Sequence, residues 1–438
     1  MGPAWPRAGP AWMNQPPPSL PLVGLLCCAG LALACKGPVA QGMANGDPWT
    51  RARELDNSDR VEHAPPVPHD PAEIWFALDR IHQLELTVDI ASWELLSADA
   101  EAEVPAHLWV DGGQVPEIGL KRRGRLGSLQ PLVKKPKWRL DFNEYVEGRR
   151  VFGLEAVALN NATPDCSLLK EVFAFWIFRE AGVAAPRTGW AELQFNQVAY
   201  GLHPLVEVTD DRFLKANFAD PHGNLYDGSY ELLPDGSRFN HDFRPESWDR
   251  FELEEGEDVD HQDLFALTEV LTQHLGGPDW TPATELVVDW PQVHRYLAAE
   301  MLVGHLDGYA LNRNNYRVWF DPHDGRIQLI PWDLDNTFYV DEEWGMSWER
   351  PIGILAEGCL LDEPCREAWK AETLSLADRL DGGIAELFLE EQQALIQEAA
   401  FSDPRQICGA VGLESAWEDL SWRHREVREN IRTFWSLR

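Results

Sequence analysis

The stretch HLDGYALN, from His305 to Asn312, carries residue types and a spacing that suit phosphoryl-transfer chemistry. Asp307 lies two residues after the histidine, Asn312 lies five residues after Asp307, and a further aspartate, Asp333, ends the run RIQLIPWD. Where this order occurs in phosphoryl-transfer enzymes, the first Asp accepts the proton of the attacking hydroxyl group. The Asn and the second Asp hold the metal ions that contact the phosphates. Asp307 is therefore a candidate catalytic residue, and Asn312 and Asp333 are candidate metal ligands.

The residue types fit this chemistry for a physical reason. A nucleotide brings several negative charges, so the magnesium ion that accompanies it must be held by hard oxygen ligands. The attacking hydroxyl group needs orientation more than it needs a strong base.

Neighbouring polar residues leave two assignments open. Asp333 and Asp335 in WDLD alternate along an extended segment, so their side chains point to opposite sides unless the chain turns there. Asp335 is either a further metal ligand or a cap for the segment that follows. Asn314 and Asn315 can take the place of Asn312 if the loop is shifted by one turn.

Regular elements are predicted on both sides of the loop. WPQVHRYLAAEMLVGHL has the apolar spacing of a long helix, and NYRVWFDPHDGRIQLIPWDLD predicts a strand, a turn and a second strand. His305, at the end of that helix, is predicted to be a packed residue that braces the loop rather than an acid-base group. From about residue 262 to Arg438 the pattern is mainly helical.

The preceding part of the chain alternates as strands do. Strands are predicted in LELTVDI, VPEIGLKRRG, KWRLDFNEY and AELQFNQVAYGL, with turns at VDGGQ and at the NQ pair that begins at Asn196. One helix, SLLKEVFAFWIFREAG, interrupts them and ends at Gly182. These residues predict a small α+β lobe. The acidic cluster ELEEGEDVD lacks the spacing of an EF-hand and is predicted to be an exposed loop.

The amino terminus resembles an export signal. Residues 1–35 include the apolar run SLPLVGLLCCAGLALAC, which is short for a membrane-spanning helix and is followed by a polar, Gly/Pro-rich segment. Cys35 is the candidate lipidation site of a lipoprotein, and an ordinary cleaved signal is the alternative. Residues 36–74 are predicted to be a flexible linker. The prediction is a protein of the bacterial cell envelope, with an outer-membrane lipoprotein as one form.

The overall charge excludes one class of partner. The chain has 438 residues, with 38 Lys and Arg against 72 Asp and Glu, and a formal net charge of -34. Such a chain repels nucleic acid and anionic membrane surfaces, so we expect no nucleic-acid partner and membrane contact only through an N-terminal lipid.

Export would place the cysteines in a compartment that permits disulfides. Cys359 and Cys365, in EGCLLDEPC, would close a small loop, and Cys166 and Cys408 also remain for the folded part. A zinc site is the alternative for the first pair. It is disfavoured because the chain has no CxxC pair and no histidine at ligand spacing beside these cysteines.

Four stretches carry a resemblance to a known family: RGRLGSLQPLVKKPKWRLDF, FGLEAVALNNATPDCSLLKEVFAFWIFREAG, AYGLHPLVEVTDDRFL, and VVDWPQVHRYLAAEMLVGHLDGYALNRNNYRVWFDPHDGRIQLIPWDLDNTF. Together they resemble the spore-coat protein H (CotH) kinase family of atypical secreted or surface kinases. The resemblance implies an α+β, bilobal protein-kinase-like fold. Its strand-rich N-lobe with one helix would cover residues 75–205, and its mainly helical C-lobe would cover residues 206–438. It also implies transfer of the ATP γ-phosphoryl group, with Mg²⁺ or Mn²⁺, to Ser or Thr of a protein substrate.

The same resemblance implies an ATP-binding set. RGRLGS would be the loop that covers the phosphates, and KKPK would supply the phosphate-binding lysine, for which Lys135 is favoured although Lys134 and Lys137 stay open. Glu171 would orient that lysine, and Glu207 and Val208 would offer backbone groups to adenine. Each assignment has an alternative: RGRLGS is an ordinary turn, the lysines lie on a basic surface strand, or Glu171 is an exposed helix glutamate. The residues implied to contact ATP or to support its binding are Arg123, Gly124, Ser128, Lys135, Lys137, Glu171, Glu207 and Val208.

Two other functional classes remain open from the sequence. One is a catalytically silent kinase-like module used for adhesion or surface binding, which the presence of Asp307, Asn312 and Asp333 disfavours. The other is a structural or carbohydrate-binding surface lipoprotein, for which the 20 tryptophans are the indication. Tryptophans in a chain of this length more often pack in the core.

Overall fold

The computed structural model describes residues 70–124, 128–163, 165–340 and 346–438. These residues all fall within one compact unit. The predicted signal peptide, the Cys35 lipidation site and all but the last residues of the predicted linker lie outside the described residues, as do three residues of the RGRLGS loop. In the part of the chain that is described, no helix is long and apolar enough to cross a membrane.

Seven strands form a closed barrel in the order β1-β2-β3-β4-β5-β7-β6. Neighbouring strands are antiparallel except at the closure, where β1 pairs with β6 in parallel. The strands of the barrel are β1 (His82–Thr87), β2 (Glu103–Val110), β3 (Gly113–Arg123), β4 (Lys137–Asp141), β5 (Ala156–Leu159), β6 (Thr188–Phe195) and β7 (Val198–Glu207).

The period-2 pattern explains these strands locally. Along β2 the even-numbered positions from Val104 to Val110 are buried and line the barrel core. The predicted turns are confirmed: Asp111 and Gly112 have φ of 50° and 84°, and Asn196 and Gln197 have φ of 47° and 67°. Positive φ at both central residues is the geometry of a tight hairpin turn, which Gly, Asn and Asp tolerate.

A second, four-stranded antiparallel sheet has the order β11-β8-β12-β13. The predicted hairpin before WDLD is confirmed as its β12-β13 pair, and β12 is buried at every position, which shows that both its faces are covered. A two-stranded ribbon of β9 and β10 lies between the sheet strands in sequence. These strands are β8 (Asn224–Asp227), β9 (Glu231–Leu232), β10 (Arg238–Phe239), β11 (Glu252–Glu255), β12 (Tyr316–Phe320) and β13 (Ile327–Pro331).

Helices supply most of the remaining chain. Their apolar faces, with the outer faces of barrel strands and the second sheet, build the larger hydrophobic core. The α-helices are α1 (Ile90–Ala98), α2 (Lys170–Glu180), α3 (Asp211–Asn217), α4 (Gln262–His274), α5 (Trp280–Thr284), α6 (Trp290–Leu302), α7 (Tyr309–Asn312), α8 (Ile354–Leu361), α9 (Glu363–Arg379), α10 (Ala385–Ser402) and α11 (Gly409–Ser436).

The expected bilobal kinase-like fold, with a one-helix N-lobe and a mainly helical C-lobe, is wrong. The N-terminal strands close into a barrel, α1 adds a helix that the strand pattern hid, and the later residues contain a four-stranded sheet. The cause is that alternation reports which face of a strand is buried but not which strands pair. Helix α1 was not predicted, although the sequence contains its N-cap residue: Asp89 accepts from the Ser92 N–H at 2.7 Å. The expected boundary between residues 205 and 206 lies within β7.

The segment after α10 is fastened to the barrel. Asp403 accepts from Lys135 Nζ at 2.6 Å and from the Leu202 N–H at 3.1 Å, and both charged side chains are buried. Arg405 donates to the backbone oxygens of Val133 and Lys134, and a disulfide joins Cys166 to Cys408. The C-terminal helices are thus tied to the chain just before β4.

Candidate functional site

Lys137, Asp333 and Asp335 form the centre of the site. Lys137 begins β4 of the barrel, and the two aspartates follow β13 of the second sheet. The Lys137 ammonium donates to Asp333 Oδ1 at 2.7 Å and to Asp335 Oδ2 at 2.9 Å. Residues separated by 196 and 198 positions in sequence are therefore in direct contact.

A local turn brings both carboxylates to one side of the chain. Asp333 has φ of 45°, in the left-handed region, so WDLD does not continue as a strand. Asp adopts this conformation more readily than most residues because its short polar side chain can bond locally. The condition stated from the sequence, that the chain must turn for both aspartates to act together, is met. Asp333 keeps 31% of its side chain exposed, whereas Asp335 and Lys137 are buried.

Glu171 and Asn160 extend the centre on the side of β5, which pairs with β4 in the barrel. Glu171 lies in the first turn of α2, and its Oε1 accepts from the amide of Asn160, just after β5, at 2.5 Å. Glu171 Oε2 and Asn160 Oδ1 are buried and have no hydrogen-bond partner within the described residues. Both oxygens are therefore available to a group that enters the site.

The charges of the centre perturb one another. Burial alone would lower the pKa of Lys137, but the charges of Asp333 and Asp335 raise that pKa above its ordinary value. Burial raises the pKa of Glu171 to about 8, against the opposing charge of Lys137. Burial and the charge of Asp333 raise the pKa of Asp335 to about 7. Burial opposes ionisation of Asp333 as well, yet Lys137 holds its pKa below the ordinary value. The Lys137 ammonium thus interacts with three carboxyl groups at once.

Asp307 lies in the loop between α6 and α7. Its Oδ1 accepts from the amide of Asn312, and its Oδ2 accepts from the amide of Asn315 at 3.1 Å. The Asn314 side-chain oxygen accepts from the Tyr230 N–H at 2.9 Å, and a side-chain hydrogen bond from Asn314 acts to lower the pKa of Asp307. Burial raises the pKa of Asp307, and the hydrogen bond from Asn312 opposes that rise. The charge of Asp333 also acts on Asp307, which places the loop beside the Lys137 centre.

A buried glutamate on the preceding helix is hydrogen-bonded to the backbone just after this loop. Glu300, on α6, accepts from the Ala310 N–H at 3.1 Å, and burial raises its pKa to about 8. A side chain at Gly308 would overlap Glu300 and would come within 2.7 Å of His305 Nδ1, so the loop needs glycine there. His305 is fully buried, and burial lowers its pKa to about 3, which leaves the ring neutral.

Arg123 reaches the site from the end of β3. Its guanidinium lies 5.0 Å from the centroid of the Trp332 ring, and Arg317 lies 4.6 Å from the same centroid. Burial lowers the pKa of Arg123, and the charge of Asp333 opposes that change. Gly124 has φ of 115°, and a side chain there would come within 2.9 Å of the Ser128 and Leu129 backbone. The two described ends of the predicted phosphate loop, at Gly124 and at Ser128, therefore lie close together.

Three sequence-predicted residues have their contacts elsewhere. Lys135 is paired with Asp403 rather than with the Lys137 centre. The Glu207 carboxylate accepts from Arg187 Nε at 3.0 Å, and the Glu207 N–H donates to the Arg187 carbonyl at 2.9 Å. Val208 follows the end of β7 and is buried. Among the three lysines that the sequence left open, Lys137 is the one that contacts Asp333 and Asp335.

The oxygen-rich donor set suits a magnesium or manganese ion. Asp333, Asp335 and the Asn312 side-chain oxygen are hard ligands, and the buried, partnerless oxygens of Glu171 and Asn160 are further acceptors beside Lys137. Arg123 and Lys137 carry the positive charge that suits phosphate oxygens. An arrangement with both features can bind a metal-nucleotide complex and orient a hydroxyl group at Asp307.

Sequence reasoning missed Asn160, Glu300, Arg317 and Trp332. Glu300 carried a usable signal, because it is a lone carboxylate within the apolar run LAAEMLV. Asn160 and Arg317 carried none, since each becomes part of the site only through the pairing of strands distant in sequence.

The predicted cysteine pair is joined in the structure. Cys359 and Cys365 form a disulfide with a Cα–Cα distance of 5.0 Å, and the Nε2 atom of His294 lies 3.1 Å from the Cys365 sulfur. The pair lies on α8 and α9, apart from the Lys137 centre. Two surface cavities, of about 280 and about 380 Å³, are also lined by residues outside that centre.

The barrel, the second sheet and the charged centre between them define an α+β protein with the residue types of a phosphoryl-transfer site. Residues 121–373, more than half of the chain, match the family described as CotH kinase protein, and the chain belongs to that family. The family resemblance noted from the sequence is thus confirmed.

One curated relative extends this comparison. The chain is 25% identical over 255 residues to the inner spore coat protein H of Bacillus subtilis (strain 168). The alignment covers 55% of this chain and 66% of the relative, slightly less than two thirds of the relative's length.

Proposed function

We propose that this chain is an ATP-dependent phosphotransferase that passes the γ-phosphoryl group to a Ser or Thr hydroxyl of a surface or envelope protein. The observation that carries the proposal is the contact of Lys137 with both Asp333 and Asp335, beside the Asp307 loop. Membership of the CotH kinase family supports it. The coat-protein name of the relative supports a location at a cell or spore surface.

In this proposal the basic residues of the site bind phosphate, and the acidic residues bind the cation or accept a proton. Lys137 and Arg123 would bind phosphate oxygens, and the turn at Gly124 would let backbone N–H groups approach them. Asp333, with Asn312 and Asp335, would hold the divalent cation, which when bound neutralises charge between the phosphates. Glu171 would keep the Lys137 ammonium in position. Asp307 would accept a hydrogen bond from the acceptor hydroxyl group and take its proton as the new P–O bond forms, while the bond from the γ-phosphorus to the β–γ bridging oxygen breaks and ADP leaves.

The raised pKa of Asp307 suits that last role. Burial makes its carboxylate a better proton acceptor than an exposed aspartate, and the amides of Asn312 and Asn315 fix its orientation. Positioning of this kind contributes on the order of a hundredfold or more to a transfer rate.

Variants of the three candidate residues test the proposal. Asp307→Ala should keep metal-dependent ATP binding and lose transfer by on the order of a hundredfold or more. Asp333→Ala should lose both binding and transfer, because it removes a metal ligand, and Asn312→Ala should fall between. Calorimetric titration with ATP plus Mg²⁺ or Mn²⁺ is paired with a radiolabel transfer assay, including autophosphorylation. A wild-type chain that binds no nucleotide with either metal ion would overturn the proposal, as would wild-type transfer by Asp307→Ala.

A catalytically silent surface-binding module is the second candidate. It is favoured by the contact of the Lys137 ammonium with two of the three candidate metal ligands, Asp333 and Asp335. Such a module should show neither nucleotide-dependent thermal stabilisation nor transfer, so the same titration distinguishes the two functions.

A further inference from the structure

Three side chains with soft or borderline donor atoms meet on the helical side of the molecule. His294 lies on α6, Cys359 on α8 and Cys365 in the first turn of α9. All three are buried, and their donor atoms lie within 4.8 Å of one another. This histidine is separated from the two cysteines by 65 and 71 residues, so no local spacing in the sequence reveals the group.

The distances fit metal coordination. His294 Nε2 lies 3.1 Å from the Cys365 sulfur and 3.6 Å from the Cys359 sulfur. A tetrahedral zinc ion, with Zn–S of about 2.3 Å and Zn–N of about 2.0 Å, places nitrogen and sulfur ligands about 3.5 Å apart. Two sulfurs on the same ion would be about 3.8 Å apart, so the sulfur atoms must separate from their disulfide contact while the imidazole stays in place.

The surrounding structure keeps the ligands aimed at one point. Asp362 caps α9, because its Oδ1 accepts from the Cys365 N–H at 3.0 Å and from the Thr281 hydroxyl at 2.7 Å. Cys365 lies in the first turn of this 17-residue helix, where the helix dipole favours negative charge. The Trp290 ring stacks on the His294 ring with centroids 5.4 Å apart, which limits rotation of the imidazole.

We propose that reduction of the Cys359–Cys365 disulfide converts these residues into a Cys₂His site for a thiophilic cation such as Zn²⁺. The two cysteines can form the disulfide or bind the metal ion, but not both at once. The redox state therefore decides which of the two forms the site takes. Thiolates together with imidazole are the ligand types that select such cations.

The chemistry balances with a dithiol as reductant. The dithiol gives two electrons and two protons to the protein disulfide, which becomes two thiols, and the dithiol itself becomes a cyclic disulfide. Zn²⁺ then displaces the two thiol protons and accepts a lone pair from neutral His294, which gives a site with no net charge. A fourth position stays for water or another small ligand.

The elements that carry the cysteine-histidine site also contact α7, the helix that follows the Asp307 loop. Helix α6 leads directly into that loop, and the Leu355 N–H at the start of α8 donates to the Tyr309 hydroxyl at 2.9 Å. The Gly353 N–H donates to the Ala310 carbonyl at 3.0 Å. A change between disulfide and metal ion therefore acts on elements that position α7.

Zinc binding to the full-length chain tests the proposal. The chain is reduced with dithiothreitol under anaerobic conditions, freed of reductant and titrated with Zn²⁺, beside a sample left oxidised. Bound zinc is measured by elemental analysis, and alkylation with mass spectrometry maps the protected cysteines. The reduced chain should bind one more zinc ion than the oxidised chain, with protection of both Cys359 and Cys365.

Three variants separate this site from other thiols. Cys359→Ser should abolish the additional zinc ion, and His294→Gln should weaken its binding at least tenfold. Cys166→Ser should leave the binding unchanged, because that cysteine belongs to the other disulfide. If His294→Gln fails to fold, as judged by circular dichroism, alkylation mapping of the wild-type chain decides alone. Equal zinc content in the reduced and oxidised chains, or zinc-independent alkylation of Cys359 and Cys365, would overturn the proposal.

Discussion

Two lysines two positions apart have separate partners. Lys137 contacts the aspartates after β13, and Lys135 contacts Asp403 after α10. The sequence interpretation favoured Lys135, and nothing local to KKPK reveals that the partner of Lys135 is a buried aspartate 268 residues later in the chain. The pair therefore offers a matched comparison of binding and stability at neighbouring positions.

We predict opposite phenotypes for Lys137→Met and Lys135→Met. Lys137→Met should lower phosphoryl transfer by on the order of a hundredfold, because the cation proposed to bind phosphate oxygens is lost. Lys135→Met should keep nucleotide binding but lower the free energy of unfolding by about 3 kcal/mol, because Asp403 stays buried and unpaired. Urea unfolding and nucleotide titration of both variants check this. Loss of nucleotide binding in a folded Lys135→Met chain would instead assign the phosphate contact to Lys135.

The carboxyl groups of the centre also predict a pH dependence of stability. Glu171 has a pKa of about 8 in the folded chain and an ordinary value of 4.5, so between these limits the folded state holds a proton that the unfolded state has released. The free energy of unfolding should therefore fall as the pH rises from about 4.5 to about 8. Asp335 acts in the same direction up to about pH 7.

Thermal unfolding across this range, on wild type and Glu171→Gln, measures the effect. Glutamine cannot ionise, so its chain should show a shallower decline, whereas the exposed substitution Glu390→Gln on α10 should follow wild type. A wild-type curve that rises with pH and a Glu171→Gln curve parallel to it would together show that Glu171 is ionised in the fold.

The elements around Asp307 show why the loop has one conformation. Glu300 lies on helix α6 and His305 lies just after its end, and both approach Gly308 closely enough to exclude a side chain there. The sequence predicted α6, the β12-β13 hairpin and helix α2 from their periodicities. It did not predict the turn at Asp333, because a positive φ is set by the contacts of both aspartates with Lys137.

Gly308→Ala should therefore disturb the loop. The added methyl group overlaps Glu300, and relief of that overlap should cost about 1–3 kcal/mol of unfolding free energy and reduce transfer more than nucleotide binding. Gly382→Ala is the control, since a methyl group there meets no atom within 4 Å. Denaturant titration and transfer assays of both variants give the comparison. If the two alanine variants behave alike, Gly308 carries no packing constraint.

On the scale of the whole molecule, the two disulfides differ in the length of chain that they enclose. Cys359 and Cys365 are 6 residues apart in sequence, and Cys166 and Cys408 are 242 apart. In the chain-entropy account, the shorter loop contributes about 2 kcal/mol and the longer loop about 5 kcal/mol.

Cys408→Ser should thus destabilise the oxidised chain more than Cys359→Ser does. In guanidinium unfolding without reductant, the free energy of unfolding should fall by about 5 kcal/mol for Cys408→Ser and by about 2 kcal/mol for Cys359→Ser. The difference between the two variants should disappear once both proteins are reduced. A larger loss for Cys359→Ser under oxidising conditions would contradict the loop-length argument.

Much of the local structure could be read from the sequence, but the architecture could not. The hairpin turns at Asp111 and Asn196, the α2 helix and the strand that precedes Asp333 follow from residue type and period. The parallel contact of β1 with β6 and the approach of β4 to the end of β13 depend on long-range packing, for which one sequence carries no direct signal. The same limit hid Asn160 and His294.

The closed barrel has a consequence for how the protein can be shortened. The family match covers residues 121–373. It starts near the end of β3, so it leaves out β1, β2 and most of β3, and it ends before the last two helices. A fragment with those limits would expose the unpaired edges of β4 and β6, and it would lack Asp403 opposite Lys135. Exposed strand edges recruit other chains, so the fragment is expected to aggregate rather than fold. The smallest fragment able to fold independently must include β1 and the C-terminal helices, and it is therefore longer than the stretch by which the family is recognised.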